Sequence, residues 1–543
     1  MKTRAERIAL LESTPFHVLV VGGGITGAAA ARDAASRGLR VALLDRGDWA
    51  SGTSWRSSKL IHGGLRYLAS GQVHLVFESL AERNRLARLA PHLVQPAEFL
   101  FAAYRDRGVS PLLLRLGLSL YDALALGRSV PHRTASRKAL LARERLLENP
   151  DLLSGALYTD ARTDDARLTL ENVLDAGALG AVTVSRVAVT GFQKDRSGRI
   201  HSVTARDEET GRDFSVSALS VVNATGPWSD RLRGEDQPGT PPQLRLSRGA
   251  HVTVAAARLP LRQPVVSPSP DGRLLFAIPF GSVTLLGTTD QDFTGSPDDV
   301  AADGSDVRFL LKAANGLFPS ASLTTADVVA TFAALRPLQR ESGKSVQDTS
   351  REDSVAVSPS GLVTVSGGKL TTHRRMGERA IDSAAEELRR GGLAIPKSRT
   401  RKRPFPGAPE EPLPVFCSAL EKEARGLALD AETANHLCTR YGGRARDVLK
   451  LAAEDTALSE RLTPGLPDIA AEIVFALRAE DARSVSDLLI RRTHLFWQAA
   501  DQGVAALPRV AALAARELHW DRPRKDAAVQ EYLSEIARSR RYR

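Results

Sequence analysis

The chain has 543 residues, 43% of them hydrophobic and 25% charged, which supplies several sizeable cores and excludes a disordered chain. A formal charge of +11 favours an anionic partner, whether nucleic acid, an acidic membrane surface or a phosphorylated small molecule. Two cysteines, Cys417 and Cys438, are too few for a disulfide framework or a cysteine-rich metal site. They read as helix-borne structural thiols in a reducing compartment, with no metal expected. No apolar run reaches the roughly 18 residues that span a bilayer, and MKTRAERIALLESTP lacks a signal peptide's apolar stretch. A soluble or peripheral protein is expected.

HVLVVGGGITGAAAARDAASRGLRVALLDRGD, residues 17–48, reads as strand, tight turn, helix and strand. The spacing predicts a strand over 18–21, a helix over 25–36 stopped at Gly38, and a second strand over 41–44. Gly22, Gly24 and Gly27 fill GxGxxG. The first two let backbone N–H groups approach a pyrophosphate beside Ile25 and Thr26, and Gly27 lets helix and strand pack closely. Asp45 ends the second strand where a ribose hydroxyl would donate. The whole unit points to a dinucleotide.

A nicotinamide enzyme would continue with alternating strands and helices. Here residues 46–59, RGDWASGTSWRSSK, form a polar loop that suits a longer cofactor laid across the domain. KLIHGGLRYL follows, placing cations and aromatics around Gly63 and Gly64. SPLLLRLGLSLYDALALGRSVPHR, residues 110–133, mixes leucines with arginines and reads either as a helix with its apolar face in a core and its arginines solvated or, with the basic end ARSRRYR, as a segment suited to an anionic lipid interface. LSVVNATGPW at 219–228 and LVTVSGGKLTTHRR at 362–375 repeat the strand-to-glycine pattern, so three distant turns converge on one extended cofactor. Residues 249–254 and 274–287 alternate as antiparallel strands. KSRTRKRPFPGAPEEPLP, 397–414, is a linker, and 427–536 is helical in pattern.

VVGGGITGAAAARDAASRG, SSKLIHGGLRYL, DDARLTL, VNATGPW, IPF with LLGTTD, LRPL and GGKLTTHR occur in that order. Together they resemble the FAD-dependent (aerobic, respiratory) glycerol-3-phosphate dehydrogenases, and DLLIRRTHLFW with ARELHWD is similar to that family's C-terminal helical domain. The resemblance implies an α/β, amino-acid-oxidase-like flavoprotein fold. A discontinuous Rossmann-like FAD-binding domain (1–81, 156–228, 346–400) would accompany an antiparallel-sheet substrate domain (82–155, 229–345) and a helical domain (401–543).

The implied reaction is oxidation of sn-glycerol 3-phosphate to dihydroxyacetone phosphate by hydride transfer to non-covalent FAD, with a membrane quinone as acceptor. By resemblance, Thr53, Ser57, Ser58, Lys59, Leu60, His62, Gly63 and Gly64 lie along the flavin, joined by Ala224, Gly226, Gly368, Leu370 and Thr371. Arg66, Tyr67, Arg336, Arg351 and Lys369 would hold substrate. Arginine suits a phosphate because its fork binds two oxygens and stays charged. His251, Arg336 and Arg66 are the catalytic candidates: a neutral imidazole to take the hydroxyl proton, and cations to stabilise developing alkoxide. Thr288 and Thr289 would sit nearby, and Asp290 would be substrate-proximal or a turn cap.

Trp55 stands where the family pattern implies a small residue, and His373 where it implies another aromatic. The resemblance also implies a homodimer, peripheral on the cytoplasmic face of the membrane. An oxygen-using glycerol-3-phosphate oxidase is the neighbouring alternative, and the insertion it would carry in the substrate region is not seen. An amino-acid oxidase would not account for LIHGGLRYL. A nucleic-acid-binding protein would need more than 5% aromatic residues and a recognisable motif.

Overall fold

The computed structural model describes residues 2–69, 71–105, 109–269, 272–340 and 352–543. The apolar runs Phe16–Val21 and Val41–Leu44 are buried almost throughout, as strands covered on both faces must be. They pair in parallel with each other, Phe16–Val21 with Asp213–Asn223 and Val41–Leu44 with Val182–Val184, and Asp213–Asn223 pairs in parallel with Leu362–Gly367. Asp353–Val357 closes the outer edge antiparallel. The alanine-rich helix Ile25–Ser36 occupies the expected residues, followed by Gly38 at φ +81°. With Asp165–Ala178 and His373–Arg390 it covers one face of this sheet, around Val18, Val20, Val222 and Val363.

Phe16–Val21 has Val41–Leu44 on one side and Asp213–Asn223 on the other. A crevice opens at the carboxyl ends of parallel strands where the order reverses in this way, and ligands of such sheets bind there.

A second, largely antiparallel sheet faces that crevice. Its order is Gln291–Asp292, Leu244–Ala255, Val283–Gly287, Leu274–Phe280, Val265–Pro268, Gln95–Tyr104, Leu152–Arg162 and Leu60–Ile61. Val328–Gln339 pairs with the other edge of Leu244–Ala255, in a register that sets Arg336 opposite Ser247 and Phe332 opposite His251. The expected segment 274–287 is a hairpin, Leu274–Phe280 and Val283–Gly287.

The two expected boundaries near the front of the chain do not coincide with breaks. Helix Val73–Leu89 runs through 81/82, strand Leu152–Arg162 runs through 155/156, and Leu60–Ile61 joins the second sheet. Pattern shows where an element lies but not which sheet its neighbours choose. Beyond the linker, helices from Leu413–Arg425 to Arg522–Ser539 pack around Phe475, Leu488, Trp497 and Tyr532.

The reading of two thiols is overturned. Leu413–Arg425 and Ala431–Tyr441 form a helical hairpin that joins Cys417 to Cys438 in a disulfide, with Cα atoms 5.6 Å apart. The cysteines therefore no longer argue for a reducing compartment.

Candidate active site

The crevice is a cavity of about 970 Å³ running from the glycine turn to the second sheet. That is the upper end of the roughly 300–1,000 Å³ usual for small-molecule sites. At its first end Gly22 adopts φ +107°, and a Cβ there would lie 2.6 Å from the Ala224 carbonyl oxygen. A Cβ on Gly27 would lie 1.8 Å from the Gly22 oxygen, so helix and turn touch without room for a methyl. The Ile25 N–H donates to Ser54 Oγ at 2.9 Å, which ties the polar loop to the helix N-terminus. Asp45 accepts from the backbone N–H groups of Gly23 (2.6 Å) and Gly47 (2.7 Å), and burial pushes its carboxyl up.

Gly22, Gly24, Ile25, Thr26, Asp45, Thr53, Ser57, Ser58, Leu60, His62, Gly64, Ala224, Gly226, Gly368, Leu370 and Thr371 all line this cavity. Residues expected to share a cofactor across some 350 positions thus share one wall. Thr371 Oγ1 accepts from the His62 N–H at 3.1 Å and donates to the His62 oxygen at 3.2 Å, clamping the LIHGG and GGKLTT turns together.

Three expected cofactor residues turn elsewhere. Gly27 lies behind the turn. Lys59, at φ +56°, points into the protein, where Nζ lies 2.6 Å from Asp165 Oδ1 and 2.9 Å from the Trp55 oxygen. Asp165 also accepts from the Ser57 N–H and hydroxyl (3.0 and 2.7 Å), so one buried carboxylate shapes the loop. Gly63 donates to Tyr121 Oη at 2.9 Å and Asp160 Oδ1 at 3.2 Å, and its Cβ would lie 2.5 Å from that hydroxyl. Its lack of a side chain lets the loop seat on helix Pro111–Leu124.

At the second end, Arg336 reaches Asp290 Oδ1 (3.1 Å), Thr288 Oγ1 (3.1 Å), the Thr289 oxygen (3.2 Å) and Ser247 Oγ (3.3 Å). A Cβ on Gly249 would lie 2.3 Å from Arg336 Nη2, so that glycine makes room for the guanidinium. His251 is buried, with Nε2 2.9 Å from Ser58 Oγ. Burial, with the Arg336 and Lys59 cations behind it, pushes its imidazole down to about 3. Lys369 Nζ lies 3.5 Å from the centre of the Tyr67 ring. Arg336, His251, Lys369 and Tyr67 all line the cavity. Arg66 opens helix Arg66–Ala69, and Arg351 lies outside the described residues.

His373 sits behind the cavity rather than in it. Its Nδ1 is 2.8 Å from the Leu370 oxygen, and burial pushes it down to about 4. Sequence reasoning passed over Ser54, Arg56 and Asp160, which line the cavity. It also missed the buried Tyr121–Asp160–Arg83 network behind Gly63. DDARLTL carried a signal for Asp165, whereas no spacing places Tyr121 against Gly63.

Helix Pro111–Leu124 buries Leu114, Leu118 and Tyr121. Its outer side and the following loop expose Leu112, Leu113, Leu116, Leu120, Leu126 and Val130, each more than 40% accessible. Arg115, Arg128 and Arg133 are exposed around them. At the basic C-terminus Tyr542 is packed into a core while Arg541 and Arg543 are exposed. Among the described residues no helix is long and apolar enough to cross a membrane. His436, Asp468 and Glu472 bring potential ligand atoms within 4.8 Å, but Arg440 lies 2.7 Å from Asp468 and 3.3 Å from Glu472 and supplies the positive charge there.

A parallel sheet with a glycine turn at its switch point, and an antiparallel sheet carrying cations across the cavity, define a two-sheet flavoprotein oxidoreductase. The family described as FAD dependent oxidoreductase matches residues 17–378, and that described as C-terminal domain of alpha-glycerophosphate oxidase matches 398–525. A glycerol-3-phosphate dehydrogenase of Synechocystis is 35% identical over 96% of this chain and 96% of its own. An aerobic glycerol-3-phosphate dehydrogenase of Staphylococcus saprophyticus is 33% identical over 96% and 94%.

The solved structure of the glycerol-3-phosphate dehydrogenase from Bacillus halodurans, complexed with FAD, superposes with a TM-score of 0.83 at 31% identity. The match covers 99% of this chain and 97% of that one. Glycine oxidase from Geobacillus kaustophilus, at 22% identity and TM-score 0.53 over 71% of this chain and 97% of its own, shares the fold. The chain belongs to the FAD-dependent glycerol-3-phosphate dehydrogenase family. Its cofactor is FAD, and the side-chain-free cradle at Gly22 and Gly27 beside a helix N-terminus fits a pyrophosphate.

Proposed function

We propose that this protein oxidises sn-glycerol 3-phosphate at C2 to dihydroxyacetone phosphate and passes the electrons to a membrane quinone. The observation that carries this reading is the meeting of Arg336, His251, Lys369 and Tyr67 on the wall of the cavity that begins at the glycine turn. FAD, when bound, supplies the hydride acceptor. Arg336, held in place by Asp290 and Thr288, offers a charged fork to the substrate phosphate or to the oxygen losing its proton. His251 is neutral at working pH and has a ring lone pair to offer, with Ser58 holding Nε2; burial makes it a weak base, and the negative charge of a bound substrate phosphate would raise its affinity for the hydroxyl proton. Lys369 adds positive charge, and Arg66 and Arg351 complete the proposed phosphate site on the strength of their motifs.

The test is anaerobic mixing of the holoprotein with sn-glycerol 3-phosphate while flavin absorbance is followed. Rapid bleaching supports the reading. Flavin that stays oxidised with this substrate and bleaches with an amino acid would overturn it. Reoxidation of the bleached enzyme separates the acceptors: fast reaction with a quinone and little peroxide in air is expected, and stoichiometric peroxide would indicate the oxidase.

The membrane part rests on the exposed leucines of residues 112–126 and the arginines around them. An apolar helix face ringed by cations suits an anionic lipid interface. The same helix holds Gly63 through Tyr121, which would bring a lipid-soluble acceptor close to the flavin loop. Leu116→Glu with Leu120→Glu is expected to abolish co-sedimentation with acidic liposomes, and undiminished binding would remove this face from the proposal. A homodimer, implied by the family, is checked by light scattering.

A further inference from the structure

Trp55 is the departure from the family pattern that the proposed chemistry leaves unused. It ends the short helix Thr53–Trp55 in the flavin loop and is 3% exposed. Its ring centre lies 5.3 Å from Phe332 on the strand carrying Arg336, and 6.0 Å from Phe496 of the C-terminal domain, edge-on at 81°.

Phe332 is the cross-strand partner of His251 and stacks on it at 5.1 Å and 22°. Opposite Phe332 the imidazole meets Gly287, where a Cβ would lie 2.2 Å from His251 Cδ2. The ring is therefore held between a glycine backbone and one phenyl face. What holds that phenyl is Trp55, backed in turn by Phe496. Three residues after Trp55, Ser58 holds the ring edge through Nε2.

A second contact reaches the same strand independently. Thr331 donates its N–H to Ser539 Oγ (2.9 Å) and its hydroxyl to the Ser539 oxygen (2.6 Å). Ser539 Oγ in turn lies 2.9 Å from the Thr331 oxygen. Ser539 ends the last helix, Arg522–Ser539, so the C-terminal domain reaches residue 331 directly and residue 332 through Trp55, on which Phe496 packs.

We propose that Trp55 is a positioning residue through which the C-terminal helical domain holds His251 in its working orientation. A small residue at this position would leave a gap between Phe332 and Phe496 and let the phenyl rotate away from the imidazole. The inference rests on the proposed role of His251 as proton acceptor and adds a role for the C-terminal helices.

The experiment compares flavin-normalised turnover and pH profiles of Trp55→Ala, Trp55→Phe, Phe496→Ala and His251→Gln holoproteins. Trp55→Ala is expected to keep its flavin and its KM while kcat falls by about 10²-fold, the scale of an ångström-level misplacement. Its acid limb is expected to move up in pH as the imidazole gains water. Trp55→Phe should recover most of the rate, and Phe496→Ala should show the same change in smaller degree. Wild-type kcat per flavin and an unmoved pH profile in Trp55→Ala would overturn the proposal, as would a loss that only tracks flavin content.

Should Trp55→Ala fail to fold, Phe496→Ala carries the test on the same criterion. His251→Gln separates the two readings. Full turnover there removes His251 as acceptor, whereas an impaired His251→Gln beside a normal Trp55→Ala removes only the brace.

Discussion

At the Gly22–Gly27 end of the cavity the surface offered to a ligand is mostly backbone, drawn from one stretch of chain with Ala224 against it. At the Arg336 end it is side chains from distant strands: His251 from Leu244–Ala255, Arg336 from Val328–Gln339 and Lys369 from the turn after Leu362–Gly367. The first end tolerates no added atom, because neighbouring backbone fills the space where a side chain would go. The second end is sensitive above all to a change of charge, because each cation and the neutral imidazole there has a proposed chemical task, and side chains rather than backbone fill the space beside its glycines Gly249 and Gly287. One end therefore fails by steric exclusion and the other by loss of function in a folded protein.

The sharpest break is Gly27→Ala. With a Cβ 1.8 Å from the Gly22 oxygen, helix and turn must separate. The variant is expected to lose at least about 2 kcal/mol of stability and most of its FAD, read from flavin absorbance per mole of protein. Arg336→Ala should do the opposite: flavin is retained while turnover falls by about 10³-fold, seen as failure to bleach with sn-glycerol 3-phosphate. Normal steady-state rates would take Arg336 out of the site.

Acid should separate the ends more gently. His251, pushed down to about 3, and His373, to about 4, are neutral when folded, whereas unfolded imidazoles take up protons near 6.5. The unfolded chain thus binds more protons between those values. Stability is complete above about pH 6.5 and declines as pH falls toward 4 and 3. The thermal midpoint should drop on going from about pH 7 to 5, less steeply in His251→Gln, and a flat profile would contradict the buried neutral state.

The smallest effect on turnover is expected from opening Cys417–Cys438, which does not line the cavity. With its ends 21 positions apart in the chain, the bridge contributes about 3 kcal/mol of unfolded-state entropy. Cys417→Ser with Cys438→Ser should lower the denaturation midpoint while leaving kcat unchanged.

This contrast also explains what was legible beforehand. The strand, turn, helix and strand of residues 16–44 and Gly38 were visible because each is a local backbone requirement, and Gly27 announced its packing role through the GxGxxG spacing. The cavity-lining stretches around Ser57, His62 and Gly368 were reached only through a run of motifs resembling a family, since no single one of them differs from an ordinary loop. Lys59 was misplaced because its motif shows that it is needed but not which way it points, and a carboxylate 106 residues away, Asp165, draws it inward.

By itself the amino-acid sequence determined the dinucleotide unit and the helical C-terminal region, which depend on periodicity and on glycines that backbone geometry demands, while the two-sheet flavoprotein class came from the resemblance of its motifs to a family. Tertiary structure alone decided that Cys417 meets Cys438, that Gly63 seats on Tyr121, that Trp55 backs Phe332, and that the leucines of residues 112–126 remain uncovered. Each of those depends on which side chain faces which across elements far apart in the chain, and spacing along the chain carries no record of that.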